Sequence, residues 1–221
     1  IENCNLDDTV TFSQSAIDTL EPEAANIGAV VGEEMSVKDC LYALMLQSAN
    51  EVASALAEHV SGSIEEFAKL MNKRAKQAGA NDAHFANACG LFNKKHYVTA
   101  YDMAKIMQAA LQYPVFREII NSSSYTLPTD NKRKEPLTIS QRHQMVQPWN
   151  SFHYDGIIGG KTGFVNESGT TLVTSAQRDG MTLITVVLNS PGTNSYVDTT
   201  ALLDFGFKNF KLTNVSENDT R

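Results

Sequence analysis

Residues 156–189 read GIIGGKTGFVNESGTTLVTSAQRDGMTLITVVLN. Two β-branched runs, 169–177 and 181–189, are joined by Arg178, Asp179 and Gly180. That is a hairpin signature, because Asp-Gly readily takes the left-handed turn conformations that match the twist of paired strands. Both runs are apolar enough to read as central strands. Just ahead of them Lys161, Thr162 and Gly163 spell K-T-G. Taken alone, a strand lysine is an edge residue reaching solvent.

Upstream of this β-rich part the apolar period becomes helical. Ser36 with Asp39 opens a run whose Val37, Leu41, Leu44 and Met45 share one face, and a second helix is expected over 51–60. Ser63 with Glu66 is a capping box for a third helix, with Phe67, Leu70 and Met71 as its apolar side and Gly79 as its stop. Thr99 with Asp102 starts a fourth, running through Met103, Ile106, Met107 and Ala110 and ending before Pro114. Residues 122–144 are polar and carry Lys132, Arg133 and Lys134, which predicts a solvated excursion with one short strand pair. A last amphipathic helix over 196–206 is expected to lie on the sheet through Val197, Leu202, Leu203 and Phe205. Residues 1–212 read as one domain, and 213–221 as a polar tail or linker.

Composition removes several function classes. The chain has 221 residues, a net charge of −7 and 42% apolar residues. No apolar run approaches the roughly 18 residues of a membrane helix. The acidic balance argues against a nucleic-acid partner, which needs clustered Lys and Arg. Cys4, Cys40 and Cys89 are far apart and form no C-x-x-C or zinc spacing, and His59, His84, His96, His143 and His153 match no paired-ligand pattern. Neither metal nor cofactor is expected. Cys40, inside the apolar run 40–46, reads as a small core residue.

Ser48, Ala49 and Asn50 fit S-x-N, a tripeptide close to chance expectation in a chain this long. Read alone, Ser48 with Glu51 is an N-terminal capping box that merely starts the second helix. Order changes this reading, since S-x-N followed by K-T-G is the pairing found in penicillin-recognising serine enzymes. Around these motifs, Gly90 and Leu91, residues 96–103 (HYVTAYDM), 156–164 (GIIGGKTGF) and 202–207 (LLDFGF) resemble the low-molecular-weight serine D-Ala-D-Ala carboxypeptidases over nearly the whole chain.

The resemblance implies an α/β (α+β) fold like that of β-lactamases and DD-peptidases, with a helical cluster packed on an antiparallel sheet. It implies a substrate as well, a peptidoglycan stem peptide ending in D-Ala-D-Ala, with β-lactam antibiotics as mimics and no cofactor. Lys161 would supply positive potential and help proton traffic. Thr162 would bind the terminal carboxylate, Gly163 would let substrate lie along the strand, and the Phe164 N–H would serve the oxyanion hole. Ser48 would relay a proton to the leaving amine, and Asn50 would hold the substrate amide and the family's lysine. Such an enzyme works outside the cytoplasmic membrane, secreted or membrane-anchored.

Two departures accompany the resemblance. No serine here has a lysine three residues on, so the S-x-x-K nucleophile is absent from the 221 residues. The expectation is an N-terminally truncated domain, without its first strands and nucleophile helix, whose partner is the missing N-terminal segment. The apolar faces 41–45 and 52–56 would then line the space that segment leaves. Ser195 stands near where many relatives carry a carboxylate-binding arginine, which leaves that task to Thr162 and Lys161. A serine β-lactamase shares both motifs but needs a deacylating Glu between them, and 122–144 offers only Glu135. A non-catalytic peptidoglycan- or β-lactam-binding remnant is the remaining alternative.

Overall fold

The computed structural model describes residues 1–213; the part of the expected tail from 214 onward lies outside the described residues. In chain order the elements are β1 (Thr9–Thr11), α1 (Gln14–Asp18), β2 (Glu34–Ser36), α2 (Val37–Tyr42), a π-helical turn (Ala43–Gln47), α3 (Asn50–Ser61), α4 (Ile64–Gln77), α5 (Ala100–Ala110) and α6 (Pro114–Asn121). Then come β3 (Ser124–Leu127), β4 (Leu137–Ser140), β5 (Ile157–Val165), β6 (Gly169–Arg178), β7 (Met181–Ser190) and α7 (Asn194–Asn209). This is the expected α+β arrangement of helices on antiparallel strands.

The expected helix starts hold where the signal is local. Ser36, Ser63 and Thr99 each accept the N–H of the residue three positions on, at Asp39, Glu66 and Asp102. These bonds satisfy donors that have no partner inside the first turn. Pro114, expected only to end a helix, also begins α6 as its first residue, where the missing N–H is no loss.

The main sheet has the order β5-β6-β7, all antiparallel. The β6–β7 turn places Asp179 and Gly180 at φ 50° and 80°, as the hairpin signature requires. Only β6 is central, so the reading of both hairpin strands as central is corrected for β7. Met107, Leu111 and Ile120 pack with Ile158 and Val173 on one face of this sheet. Met145, Tyr154, Tyr196 and Leu203 pack with Leu172 and Ala176 on the other. The sheet is therefore a middle layer between α5 and α6 on one side and α7 on the other.

The inward side of α7 also differs from expectation. Tyr196, Thr199, Leu203 and Gly206 are buried, whereas Val197, Leu202 and Phe205 are about half exposed or more. A Cβ at Gly206 would come within 2.5 Å of Leu183, so the helix settles on the sheet along its small residues and turns its larger ones outward.

A third cluster joins β1, β2, α2, α3 and the β3–β4 hairpin around Val10, Phe12, Leu46 and Val52. Val52 and Leu56 are buried in it, so residues 52–56 do not line an open space; Leu41, Leu44 and Met45 are half-buried against it. Cys40 is fully buried there, and burial pushes its thiol up and leaves it unreactive. The excursion 122–144 forms its expected strand pair, yet it is not merely solvated. Arg133 reaches back to the buried carboxylate of Glu33 at 2.8 Å, and Asn131 holds the backbone of Gly32 and Glu34. Among the described residues no helix is long and apolar enough to cross a membrane, and no cluster of metal-ligating side chains occurs.

Candidate active site

Ser48 follows the π-helical turn and sits in the left-handed region, φ 59° and ψ 37°. That conformation is strained for a residue with a side chain, and both π-turns and such strain gather at functional sites. The expected cap is not made. Helix α3 begins instead behind Ala49 with no side-chain cap, and Glu51 is buried, accepting the N–H of Ile27 at 2.8 Å. The strained turn releases the Ser48 hydroxyl from the helix and turns it across to β5.

Lys161 meets it there. Its Nζ donates to Ser48 Oγ and, at 2.8 Å, to the carbonyl of Thr162. In the sheet Lys161 lies opposite Val173, and paired residues share a face, so its side chain points to the side of α5 and α6, where Ser48 lies. Although β5 is an edge strand, Lys161 is half-buried and its ammonium turns inward to Ser48 instead of out to solvent. Burial, helped by the nearby charge of Arg142, lowers its pKa from 10.5 to about 8.

The glycines flanking Lys161 explain how the strand fits. Gly159 has φ 132°, and a Cβ there would lie 2.2 Å from the carbonyl oxygen of Ile120 on α6. At Gly163 a Cβ would meet Thr171 Oγ1 at 2.5 Å, so packing against the neighbouring strand already favours a residue without a side chain. Strand β5 pairs on one side only, leaving alternate N–H and C=O groups of its other edge directed away from β6. The Thr162 hydroxyl has no hydrogen-bond partner among the described residues, and the Phe164 side chain is 68% exposed. Asn50 is buried close to Ser48, and its amide nitrogen donates to the carbonyls of Ala25 (2.8 Å) and Ser48 (3.4 Å), tying a loop to the site.

Arg142 was missed by the sequence reading. Its backbone N–H bonds Leu46, within the π-helical turn, and its guanidinium approaches Gln47 at 3.4 Å. It is exposed, and its charge acts on Lys161. A positively charged side chain thus acts on Lys161, whereas Ser195 is buried with its hydroxyl donating to the carbonyl of Gly192. No local signal marked Arg142, which lies in a polar run. Glu135, the only glutamate in residues 122–144 and so the one candidate there for a deacylating Glu, is exposed in the β3–β4 loop.

Below the site His143 is fully buried, with Nε2 bonded to Thr174 Oγ1 at 2.8 Å. Burial lowers its pKa from 6.5 to about 4. The unfolded chain therefore binds this proton more readily, and the native state loses stability as pH falls from about 6.5 to 4, by up to about 3 kcal/mol. Denaturant titrations of the wild type and His143→Gln at neutral pH and near pH 4.5 are expected to show a markedly weaker acid loss in the variant. Parallel losses would remove His143 from this account.

The profile of the D-alanyl-D-alanine carboxypeptidases, peptidase family S11, matches residues 2–192. The chain belongs to this family. It is 34% identical over 181 residues to the D-alanyl-D-alanine carboxypeptidase DacF of Bacillus subtilis, covering 81% of the chain and 45% of that protein. With the D-alanyl-D-alanine carboxypeptidase of Streptomyces sp. strain K15 it shares 33% over 217 residues, 93% of the chain and 72% of the relative. The crystal structure of the Streptomyces K15 DD-transpeptidase superposes with a TM-score of 0.86 at 29% identity, covering 94% of the chain and 82% of that structure. The chain thus spans from just under half to about three quarters of the length of these relatives.

Proposed function

We propose that this chain forms the S-x-N and K-T-G walls of a serine D-Ala-D-Ala carboxypeptidase that trims peptidoglycan stem peptides outside the cytoplasmic membrane. The observation that carries the reading is the hydrogen bond from Lys161 to Ser48, which joins the two motifs across 113 residues of chain. In the proposed reaction a serine in an S-x-x-K sequence, which residues 1–221 do not contain, attacks the carbonyl between two D-alanines. Ser48 and Lys161 pass the proton to the leaving amine, D-alanine departs, and water hydrolyses the acyl ester. With an amine in place of water the same ester would be transferred, the reaction for which the Streptomyces K15 DD-transpeptidase is named.

Arg142, with Thr162, is proposed to receive the terminal carboxylate. Charged hydrogen bonds are worth about 1.5–3 kcal/mol, so in a protein carrying the S-x-x-K serine Arg142→Met should raise KM roughly 10-fold or more for a peptide with a free carboxylate. A peptide ending in an amide should be little affected. Equal changes for both would reject this role.

Penicillin labelling tests the whole reading. Mass spectrometry is expected to show no covalent adduct on the 221-residue chain and a single acyl adduct on the S-x-x-K serine when that segment is present. A stoichiometric ester on any serine of residues 1–221 would overturn it.

A further inference from the structure

Charge is unevenly spread along this acidic chain. Residues 69–105 hold seven Lys and Arg against two Asp, although the chain as a whole carries −7. One of those two, Asp102, is buried at the start of α5, where Thr99 donates to it. Arg74 is paired with Glu2, whereas Lys69, Lys73 and Lys76 of α4 line one groove.

A groove of about 620 Å³ lies between α4 and the bridge that pairs His84 with Tyr97, and Lys69, Lys73 and Lys76 line its helical side. At 1.5 Å rise per residue these three ammonium groups extend over about 10 Å of helix. Lys69 has one carboxylate neighbour, exposed Glu66; Lys73 and Lys76 have no ion-pair partner among the described residues. The helix dipole accounts for a cation at Lys76, in the last turn, but not for the two preceding it.

The opposite wall is fixed. Asn72 accepts the N–H of Phe85 and donates to its carbonyl, both at 2.8 Å, and the His84 and Tyr97 backbones exchange two hydrogen bonds. His84 Nδ1 is held by the carbonyl of Lys95, and Tyr97 stacks on the His84 ring while remaining 58% exposed. A row of cations thus faces a rigid wall of amide, imidazole and phenol.

We propose that this groove binds a linear polyanion whose charges are phosphodiesters on a hydroxylated, non-aromatic backbone. Three separated ammonium groups suit successive phosphates rather than one ion. Lysine suits them as a point charge. Asn81 and Tyr97 offer polar partners to intervening hydroxyls. Single-stranded nucleic acid is disfavoured because one exposed aromatic does not provide the successive stacking platforms it uses. A flat bilayer surface is disfavoured because the lysines line a concavity.

The probe is fluorescently labelled poly(glycerol phosphate), titrated with the intact chain at low and moderate salt. Binding is expected, weakening with salt at a logarithmic slope of about −2 for three phosphate contacts. Lys69→Gln/Lys73→Gln/Lys76→Gln should weaken it at least tenfold and flatten the salt slope, with Lys73→Gln alone giving a partial loss. Lys132→Gln/Lys134→Gln should leave it unchanged. No binding, or binding indifferent to the triple substitution, overturns the proposal. Equal or tighter binding of single-stranded DNA through the same lysines, or binding only to phosphatidylglycerol vesicles, overturns the assignment of ligand. Ser48 and Lys161 take no part, so this assay and penicillin labelling fail independently.

Discussion

Lys161→Ala, in protein carrying the S-x-x-K serine, is expected to slow penicillin acylation by about 10²–10³-fold, the usual loss when one preorganised donor is removed from a site where charge develops. Its ammonium bonds Ser48 and is desolvated enough to lower its pKa from 10.5 to about 8, so water is a poor replacement for it. Ser48→Ala should cost a comparable factor. The double variant should lose little more than either single one, because groups that act as a unit are strongly non-additive. Stopped-flow labelling with a fluorescent penicillin gives all three rates, and circular dichroism checks that the fold persists. A Lys161→Ala protein that acylates at the wild-type rate would detach K-T-G from the chemistry. Multiplying losses would show that Ser48 and Lys161 act separately.

Arg133→Ala is expected to cost about 3–5 kcal/mol of stability at neutral pH, the usual result of removing one partner of a buried ion pair. Glu33 is 2% exposed, and its carboxylate is held by Arg133 and by the N–H of Val30. Burial raises the pKa of Glu33, and the charge of Arg133 opposes that rise. Without Arg133 the buried carboxylate takes up a proton more readily. The gap between wild type and variant should therefore narrow as pH falls and Glu33 becomes neutral in both. Glu33→Gln combined with Arg133→Met should recover most of the loss, since an uncharged pair leaves no buried charge uncompensated. Urea titrations across pH measure these differences. A loss under about 1 kcal/mol for Arg133→Ala would mean that the pair behaves like a surface salt bridge.

What could be read from the sequence was mostly short-range. The caps at Ser36, Ser63 and Thr99 link residues three apart, and the Asp179-Gly180 turn is set by two residues, so the local chain is enough to specify them. K-T-G ahead of a hairpin, preceded by S-x-N, was likewise legible because each motif is contiguous. By itself the sequence determined the hairpin, three of the helix starts, the order of the two motifs and the absence of S-x-x-K within 221 residues.

Tertiary structure decided what Ser48 does. Its local signal was a helix cap, and a left-handed turn with Lys161, 113 residues away, replaced it. It also decided which side of α7 is buried, since the helix has large apolar residues on several sides and small ones at Thr199 and Gly206 permit the closest approach. Arg133 against Glu33 spans 100 residues, Arg142 comes to the Ser48 turn from 95 residues beyond Gln47, and the lysines of α4 meet the His84–Tyr97 wall only after folding. Charge and apolar period carry no record of such partners. They are set when distant segments close on one another and a buried charge must find its counterpart or stay unpaired in a medium of low polarity.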